Sequence, residues 1–304
     1  MGGRRVCGGP AGRLRSLLCR RGFWIGAALL IVGIVYFTYD REDSLWYDPP
    51  PLVSPWMNGN ERKAAVLFAF SNRNLTYRLQ EPRNPRVCEG VRVLVFVLTR
   101  PAGFATRRAI RKYWEDPKKL PAGHLIRFVV GAQTDYETEV ELQMEQQRHA
   151  DLVRYDARDS YRQLFVKTHA LFTWQQLFCP HARWLVKADD DAELDLQQID
   201  AKFLSDFPAD RAEDPGFVCM IQSGHRPFRN PFSKWYLSRA EYAASVFPDY
   251  CQGTKYSVST ATIGRLLAGT NRTTYLEVED VYFSGVLADS LGVRRHECDL
   301  FAHD

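Results

Sequence analysis

The sequence of 304 residues lacks a strong net charge once its amino terminus is set aside. Six arginines and no acidic residue fall within residues 1–21, which leaves 34 basic against 36 acidic residues in the rest of the chain. Proteins that bind the phosphate backbone of a nucleic acid need clustered positive charge on one surface. The nearly neutral body shows no such stripe, which argues against a nucleic-acid partner.

Internal repeats and the cysteine patterns of metal sites are absent as well. The seven cysteines form no C-x-x-C pair and no Cys/His spacing typical of zinc. Cys7 and Cys19 precede the only long apolar run, and five cysteines follow it: Cys88, Cys179, Cys219, Cys251 and Cys298. Because five is odd, at least one of these later thiols is free or pairs with another chain.

Long apolar runs are absent except at residues 22–39, which carry no charge. Eighteen helical residues rise about 27 Å, close to the thickness of the hydrocarbon core of a bilayer. The arginines before this run favour a cytosolic tail, which places the rest of the chain across the membrane. A cleaved signal peptide is the alternative, but the run is longer than usual and no small-residue cleavage site closes it.

These features predict a single-pass type II protein of the Golgi membrane, with the endoplasmic reticulum as an alternative. The predicted parts are a cytosolic tail at 1–21, a signal anchor at 22–39, a proline-containing stem at 40–87 and a lumenal domain at 88–304. An apolar patch at 64–70 within the stem is expected to dock onto that domain. Sequons at Asn74 and Asn271 predict glycosylation along the same secretory route.

Beyond residue 88 the chain alternates between strand-like and helix-like segments. Residues 91–98 are almost continuously apolar, which is typical of a strand buried on both faces. The next predicted elements are helix 104–114, strand 125–130, helix 136–150, strand 151–155, helix 161–178 and strand 183–187. This order predicts an α/β fold with a mainly parallel, Rossmann-like sheet and helices on both faces. Ligands of such sheets bind beyond the carboxyl ends of the strands, where Thr99 and Arg100 lie.

Three consecutive acids, Asp189, Asp190 and Asp191, directly follow the last of these strands. Adjacent carboxylates repel one another and resist burial unless a cation or a ligand compensates their charge. The triplet is therefore interpreted as a site for a metal ion and a diphosphate. The alternative is an Asp-rich turn that ends a strand and caps a helix, since Asp is favoured in both places.

Five motifs occur in a characteristic order along the chain. They are Arg107–Trp114 (RRAIRKYW), Asp159–Tyr161 with Lys167-Thr168, the segment from Cys179 to Asp191, the loop from Pro248 to Ser259, and Glu279–Tyr282 (EDVY). In this order they resemble the inverting β1,3-glycosyltransferase family, which includes β1,3-galactosyl- and β1,3-N-acetylglucosaminyltransferases and is related to the Fringe-type enzymes. The resemblance covers residues 91–293.

The resemblance implies a GT-A fold, a UDP-sugar donor, a divalent metal ion and a glycan acceptor on a glycoprotein or glycolipid. Manganese is the expected metal, with magnesium as an alternative, because hard oxygen ligands suit both better than zinc. Asp280 matches the family's catalytic base, and Asp191, Asp189 and His303 are the candidate metal ligands. The candidate donor-binding residues are Thr99, Arg100, Arg107, Arg111, Lys167, Asp189 and Asp190. For Arg107, Arg111 and Lys167 a purely structural or solvated position is the alternative.

The chain departs from the family pattern in two places. Thr254-Lys255 stands where the family loop is usually rich in glycine, and Phe283-Ser284-Gly285 lengthens the EDVYxG motif by one residue. These departures keep a second function open, namely a catalytically inactive, glycan-binding member of the same fold. The expected activity is transfer of galactose or an N-acetylhexosamine with formation of a β1,3 bond.

Overall fold

A computed structural model describes residues 62–208 and 214–302 of the chain. The predicted cytosolic tail, the signal anchor and residues 40–61 of the stem lie outside this part, as does His303. No helix within the described residues is long and apolar enough to cross a membrane.

The backbone forms one sheet of nine strands with helices packed on it. The strands are β1 Lys63–Ala69, β2 Asn74–Gln80, β3 Val93–Leu98, β4 His124–Ala132, β5 Leu152–Arg158, β6 Trp184–Asp189, β7 Phe217–Gln222, β8 Tyr250–Ser259 and β9 Arg295–Glu297. The α-helices are α1 Phe104–Trp114, α2 Tyr136–His149, α3 Leu164–Phe178, α4 Leu196–Asp206, α5 Thr260–Gly269 and the short α6 Ala288–Ser290. A π-helix, Val281–Leu287, runs directly into α6.

The sheet is mixed rather than mainly parallel, which corrects the prediction. Its strand order is β1-β2-β5-β4-β3-β6-β8-β7-β9. The central strands β5, β4, β3 and β6 are parallel to one another, as expected. On either side of them the pairs β1/β2, β2/β5, β6/β8 and β7/β8 are antiparallel. The prediction covered the β-α-β units of the centre and missed the strands that extend the sheet at both edges.

The first two strands come from the stretch predicted as stem. β1 and β2 pair as an antiparallel hairpin, and Leu79 of β2 pairs with Tyr155 of β5 at the edge of the parallel strands. Phe68 and Phe70 are buried, and the Phe68 ring stacks on His169 of α3 at 3.7 Å between centroids. The apolar patch at 64–70 therefore docks by adding a strand, and the sheet begins before the predicted boundary at residue 88.

Alternating side chains of β3 separate two apolar layers, one on each face of the sheet. Leu94, Phe96 and Leu98 pack in the layer that contains α3 and α5. Val93 and Val95 pack against α4, while Val97 packs with residues of α1 and α2. β3 is buried along its whole length, as predicted, because helices cover both faces.

Two disulfides join distant parts of the body. Cys88 is bonded to Cys179 at the end of α3, and Cys219 of β7 is bonded to Cys251 of β8. Cys298 is a buried free thiol, which agrees with the odd count of cysteines beyond the apolar run. Each disulfide closes a long loop and typically stabilises a fold by about 2–4 kcal/mol.

Candidate active site

β6 carries Asp189 to its carboxyl end, between two cavities. The strand is held from both sides, since Leu98 of β3 pairs with Asp189 and Lys255 of β8 pairs with Ala188. Ala188 is buried, whereas the Asp189 side chain is 38% exposed. The carboxylate is therefore presented at the carboxyl end of a strand that is hydrogen-bonded on both sides.

Asp189 lines both cavities and is the one lining residue that they share. We call the smaller space, of about 370 Å³, the Asp280 cavity; its polar walls include Tyr161, Lys187, Asp189, Glu279 and Asp280. We call the larger space, of about 880 Å³, the Lys255 cavity; its walls include α1, the segment from Ala192 to Gln197, Lys118, Lys119 and Lys255. Both volumes lie in the range of small-molecule sites.

The structure thus brings together two predicted acids from distant parts of the chain. Asp280 caps the amino end of the π-helix, and its Oδ1 accepts a hydrogen bond of 2.8 Å from the backbone N–H of Val281. Burial and, second, the charge of neighbouring Glu279 raise the pKa of Asp280 to about 7. A carboxyl group whose pKa is near neutral pH is suited to accept a proton from a hydroxyl group.

The backbone of β8 passes close to this carboxylate. A Cβ atom at Gly253 would lie 2.8 Å from Oδ2 of Asp280, closer than real Cβ contacts allow. Glycine at this position lets the strand approach the acid. Gly253 therefore helps to fix where Asp280 points.

A buried lysine, Lys187, contacts the acidic side chains of the site. Lys187 Nζ donates a hydrogen bond of 2.9 Å to Asp189 Oδ1, donates another to the carbonyl of Gly253, and lies 3.8 Å from Glu279 Oε2. Burial lowers the pKa of Lys187, but the carboxylates of Glu279 and Asp189 outweigh it, so the net pKa is raised. Lys187 therefore stays charged and compensates part of the negative charge of the site.

Glu279 belongs to the same buried network. Tyr256 donates a hydrogen bond of 2.8 Å from its hydroxyl to Glu279 Oε1. Burial raises the pKa of Glu279 above its ordinary value, although Lys187 and Tyr256 oppose that effect. Glu279 thus supports Lys187 and raises the pKa of Asp280 through its charge.

Three predicted donor-binding cations have internal partners instead. Arg107 is fully buried and forms an ion pair with Glu145 at 2.6 Å, and Arg111 pairs with Glu145 and Asp151. Lys167 Nζ lies 2.7 Å from Asp159 and donates to the carbonyl of Thr99. None of the three lines either cavity. The structure therefore supports the structural alternative for them, because buried cations need close carboxylate partners.

The same helix, α1, nevertheless contributes other residues to the Lys255 cavity. Its contributing residues are Ala109, Ile110, Tyr113 and Trp114. Lys119, from the loop after α1, lies 3.6 Å from the centroid of the Tyr113 ring. The RRAIRKYW motif therefore contributes Ala109, Ile110, Tyr113 and Trp114 to the cavity wall, and its Arg107 and Arg111 pair within the protein.

The remaining predicted site residues lie outside both cavity walls. Thr99 is buried and its hydroxyl bonds the carbonyl of Arg100, whose side chain is exposed. Asp190 is half-buried and Asp191 is exposed, both in the turn after β6. Of the acidic triplet, Asp189 is the member that reaches the cavities.

The described residues contain no cluster of three His, Cys, Asp or Glu side chains that is arranged to hold a metal. Divalent cations that act on phosphates are often held by only one or two carboxylates together with phosphate oxygens. Asp189 fits that requirement, because Lys187 occupies its Oδ1 and its Oδ2 makes no hydrogen bond within the described chain. The predicted partner His303 lies outside the described residues.

Sequence reasoning missed Lys187, Tyr256 and the lysines of the larger cavity as site residues. Alternation along β6 contained a signal for the first of them. Lys187 lies two residues before Asp189, so both side chains point to the same face of the sheet. Lys118 and Lys119 carried no such signal, because the loop after α1 has no fixed period.

Comparisons with known proteins confirm the family resemblance that the motifs indicated. The family model described as galactosyltransferase matches residues 105–299. Beta-1,3-galactosyltransferase 5 of Pan paniscus is 30% identical over 194 residues, covering 64% of this chain and 63% of that protein. Lactosylceramide 1,3-N-acetyl-beta-D-glucosaminyltransferase of Xenopus tropicalis is 29% identical over 214 residues, covering 67% of this chain and 56% of that protein. The aligned region thus spans less than two thirds of the length of either relative.

Among solved structures, the mannosyltransferase PcManGT from Pyrobaculum calidifontis, in complex with GDP-Man and Mn²⁺, matches with 18% identity and a TM-score of 0.37. That match covers 91% of this chain and 65% of the other, and a TM-score this low carries no argument. The family model carries the assignment, because it spans both the strand of Asp189 and the acid at position 280. The chain belongs to the galactosyltransferase family.

Proposed function

We propose that the protein transfers galactose or an N-acetylhexosamine from a UDP-sugar to a hydroxyl group of an acceptor glycan, with inversion, to form a β1,3 bond. The observation that carries this proposal is the position of Asp189 between two cavities, with Asp280 in only one of them. The nucleotide then occupies the Lys255 cavity and the acceptor occupies the Asp280 cavity. The sugar to be transferred lies between them, beside Asp189.

Asp280 acts as the base in this scheme. The acceptor oxygen attacks the anomeric carbon on the face opposite the bond to UDP, while its proton passes to a carboxylate oxygen of Asp280. The electron pair of the bond between the anomeric carbon and the phosphate oxygen leaves with UDP. The new bond therefore has the opposite anomeric configuration, as in other inverting displacements with a base on the attacking side.

Asp189 supplies the protein's share of a divalent-cation site, with Asp191 in the adjoining turn as the second candidate. Mn²⁺ or Mg²⁺, when bound, supplies positive charge for the departing diphosphate. Lys187 orients Asp189 through the hydrogen bond of 2.9 Å.

The rim of the Asp280 cavity supports a carbohydrate acceptor. Trp235 and Phe228 line the cavity and are 43% and 52% exposed, and the Trp235 indole donates a hydrogen bond of 2.8 Å to the Tyr161 hydroxyl. Aromatic rings with one apolar face and one polar edge suit the stacking of a sugar ring. Their exposure distinguishes them from core aromatics.

We further propose that the protein works in the lumen of the Golgi as a membrane-anchored type II enzyme, with residues 22–39 as the anchor. The two disulfides support an oxidising compartment. Asn74 and Asn271 are both exposed, so both sequons are accessible for glycosylation.

The substitution Asp280→Asn tests the function. We expect transfer from a UDP-sugar to fall by at least about 100-fold, because the acceptor proton loses its base. The measurement is initial transfer rate across a panel of UDP-sugars, and Asp206→Asn, which changes an exposed acid at the end of α4, is the matched control.

Stability separates loss of the base from loss of the fold. The folded protein holds the Asp280 proton up to about pH 7, whereas an unfolded chain releases it near pH 4. Ionisation of Asp280 therefore costs stability as pH rises through that window, and Asp280→Asn should melt no lower than the unchanged protein at pH 8. A folded variant with near-normal transfer would refute Asp280 as base. Glycan retention without turnover by the unchanged protein would support the inactive, glycan-binding alternative.

A further inference from the structure

Lys255 differs from the other buried lysines of the described chain. Lys167 lies 2.7 Å from Asp159, and Lys187 lies 2.9 Å from Asp189. Lys255 is only 6% exposed, yet its Nζ donates one hydrogen bond of 2.9 Å to the carbonyl of Glu193 and has no carboxylate within ion-pair distance among the described residues. An ammonium group has three donors, so two of them remain unused.

A buried cation without an anionic partner is costly for the protein. Removing an ammonium from water costs several kcal/mol unless a nearby negative charge offsets it. Lys255 lines the larger cavity, where Lys118 and Lys119 also lie. An anionic ligand in that cavity would supply the missing partner.

The acidic residues of the same wall, Asp189, Glu193, Asp195 and Asp299, do not fill that need, since none of their carboxylates forms an ion pair with Lys255. Asp195 uses its carboxylate to cap α4 by accepting a hydrogen bond of 3.0 Å from the N–H of Gln198. Asp189 is bonded to Lys187, and Glu193 meets Lys255 through its carbonyl rather than its carboxylate. A wall that carries both signs of charge suits a diphosphate accompanied by a divalent cation.

Strand register places Lys255 on the required side of Asp189. Across β6 and β8, Ala188 is paired with Lys255 and Lys187 with Tyr256. Paired residues of antiparallel strands share a face and successive residues alternate, so Lys187 and Lys255 point to opposite faces of the sheet. Lys187 therefore serves the Asp280 cavity, while Lys255 faces the cavity from which the nucleotide must leave.

We propose that the Lys255 ammonium binds the diphosphate of the nucleotide donor and stabilises the charge that forms on it as the bond to the sugar breaks. This inference rests on the proposed function. The ammonium donates hydrogen bonds and keeps its protons, while the electron pair of the broken bond moves to the phosphate oxygen. Charge-assisted bonds of this kind are the strong class of hydrogen bond.

Binding of the diphosphate by a lysine at position 255 would be specific to this chain within the family motif. In the loop from Pro248 to Ser259, Lys255 occupies a position where the family motif has glycine. A fixed ammonium at this position carries out part of the task of a bound cation. The protein should accordingly bind UDP with less dependence on a divalent cation than a member that keeps the glycine.

Calorimetric titration of the full chain in detergent with UDP and with uridine, each in EDTA and in Mn²⁺, tests the proposal. The variants are Lys255→Gln, Lys255→Gly, which restores the motif residue, and Lys255→Arg, which keeps the charge. Lys202→Gln changes an exposed lysine of α4 and is the matched control. We expect Lys255→Gln and Lys255→Gly to lose at least tenfold in UDP affinity in EDTA and less in Mn²⁺, with uridine affinity unchanged and Lys255→Arg close to the original.

The possible outcomes distinguish the proposed role of Lys255 from the proposed transferase function. Equal losses for UDP and uridine would show a merely structural role and overturn the proposal. Unchanged UDP affinity in both neutral variants, with turnover retained, would overturn it while leaving the transferase function intact. Failure of the unchanged protein to bind UDP in any buffer would refute the proposed function itself. Lys255→Gln removes the unpaired buried charge and keeps much of the aliphatic chain, so it should not lower the melting temperature and gives a valid reading even if Lys255→Gly is destabilised as a glycine within β8.

Discussion

The charge arrangement around Asp280 decides how the site behaves with pH. Glu279 and Asp280 are consecutive, and Lys187, 3.8 Å from Glu279, is the near cation. Burial and, second, the charge of Glu279 raise the pKa of Asp280 to about 7, and the one ammonium, which is shared with Asp189, does not offset them. Activity that depends on ionised Asp280 should therefore rise as pH increases through this value.

The substitution Glu279→Gln should move that rise to lower pH. Removing the neighbouring negative charge lowers the pKa of Asp280, so a larger fraction of the base is ionised at pH 6. The measurement is kcat/KM between pH 5 and pH 8, with Glu141→Gln on the exposed face of α2 as control. If the rise of kcat/KM stays at the same pH in Glu279→Gln, or moves to higher pH, this account of the charges is wrong.

At this scale the sequence indicated that Asp189 and Asp280 meet, and it did not indicate which cations pair within the protein. Asp189 and Asp280 were found because ordered motifs contain them, and the structure places both at one cavity. Arg107 and Lys167 were not distinguishable from ligand-binding cations, since their partners Glu145 and Asp159 become neighbours only when the chain folds. Which charged residues form ion pairs depends on the tertiary structure, and composition and spacing do not reveal it.

Among the elements, the π-helix and β8 together set the position of the base. Ser284 of the π-helix accepts a hydrogen bond of 2.8 Å from the N–H of Cys251 and donates one of 2.6 Å to the carbonyl of Asp280. π-helical winding takes up an additional residue and is frequent at functional sites. It is the conformation found where Phe283-Ser284-Gly285 lengthens the family motif.

The substitution Gly253→Ala should disturb this contact between elements. The added methyl group would lie 2.8 Å from Asp280 Oδ2, so either β8 or the carboxylate must shift. We expect kcat to fall about tenfold or more with little change in UDP affinity, because misplacement of a base by a fraction of an ångström affects the chemical step most. Steady-state kinetics and UDP titration provide the measurement.

Gly264→Ala on α5 is the control for that experiment. Its new methyl group would meet only the flexible end of Gln176, and alanine is the better helix former. Normal kcat in Gly253→Ala would mean that the close approach of β8 has no bearing on the base.

Elements with strong periodicity were predicted almost residue for residue. The helix expected at 104–114 is α1, the helix expected at 136–150 is α2, and the strand expected at 91–98 contains β3. β1 and β2 were not predicted, because the nearby prolines and the position before the first buried strand indicated a stem. Sequence periodicity does not say which edge of a sheet a hairpin will join.

At the scale of the whole molecule, the hairpin is an integral part of the sheet. β2 covers the edge of β5, and the hairpin, including the turn after β1, buries four large side chains: Phe68, Phe70, Tyr77 and Leu79. Tyr77 also shares a hydrogen bond of 2.8 Å with His169. The hairpin is therefore part of the core rather than a spacer.

A fragment of residues 88–304 should consequently be less stable than a fragment of residues 40–304. Each buried large side chain contributes about 1.5–3 kcal/mol, so losing the hairpin should lower the melting temperature by at least about 10 °C. It also exposes the edge of β5, which favours aggregation. Thermal melts and light scattering of both fragments provide the measurement, and closely similar melting of two monomers would contradict the prediction.

Under the proposed function, the sharing of a single residue, Asp189, by the two cavity walls has a consequence for how substrate preference can change in this chain and its descendants. A change elsewhere in one wall touches only one of the two bound molecules, and effects of substitutions that share no neighbours add independently. Preference for the sugar nucleotide and preference for the acceptor can then drift separately over evolutionary time. A lineage can acquire a new pairing of substrates one half at a time, without passing through an ancestor that has lost both.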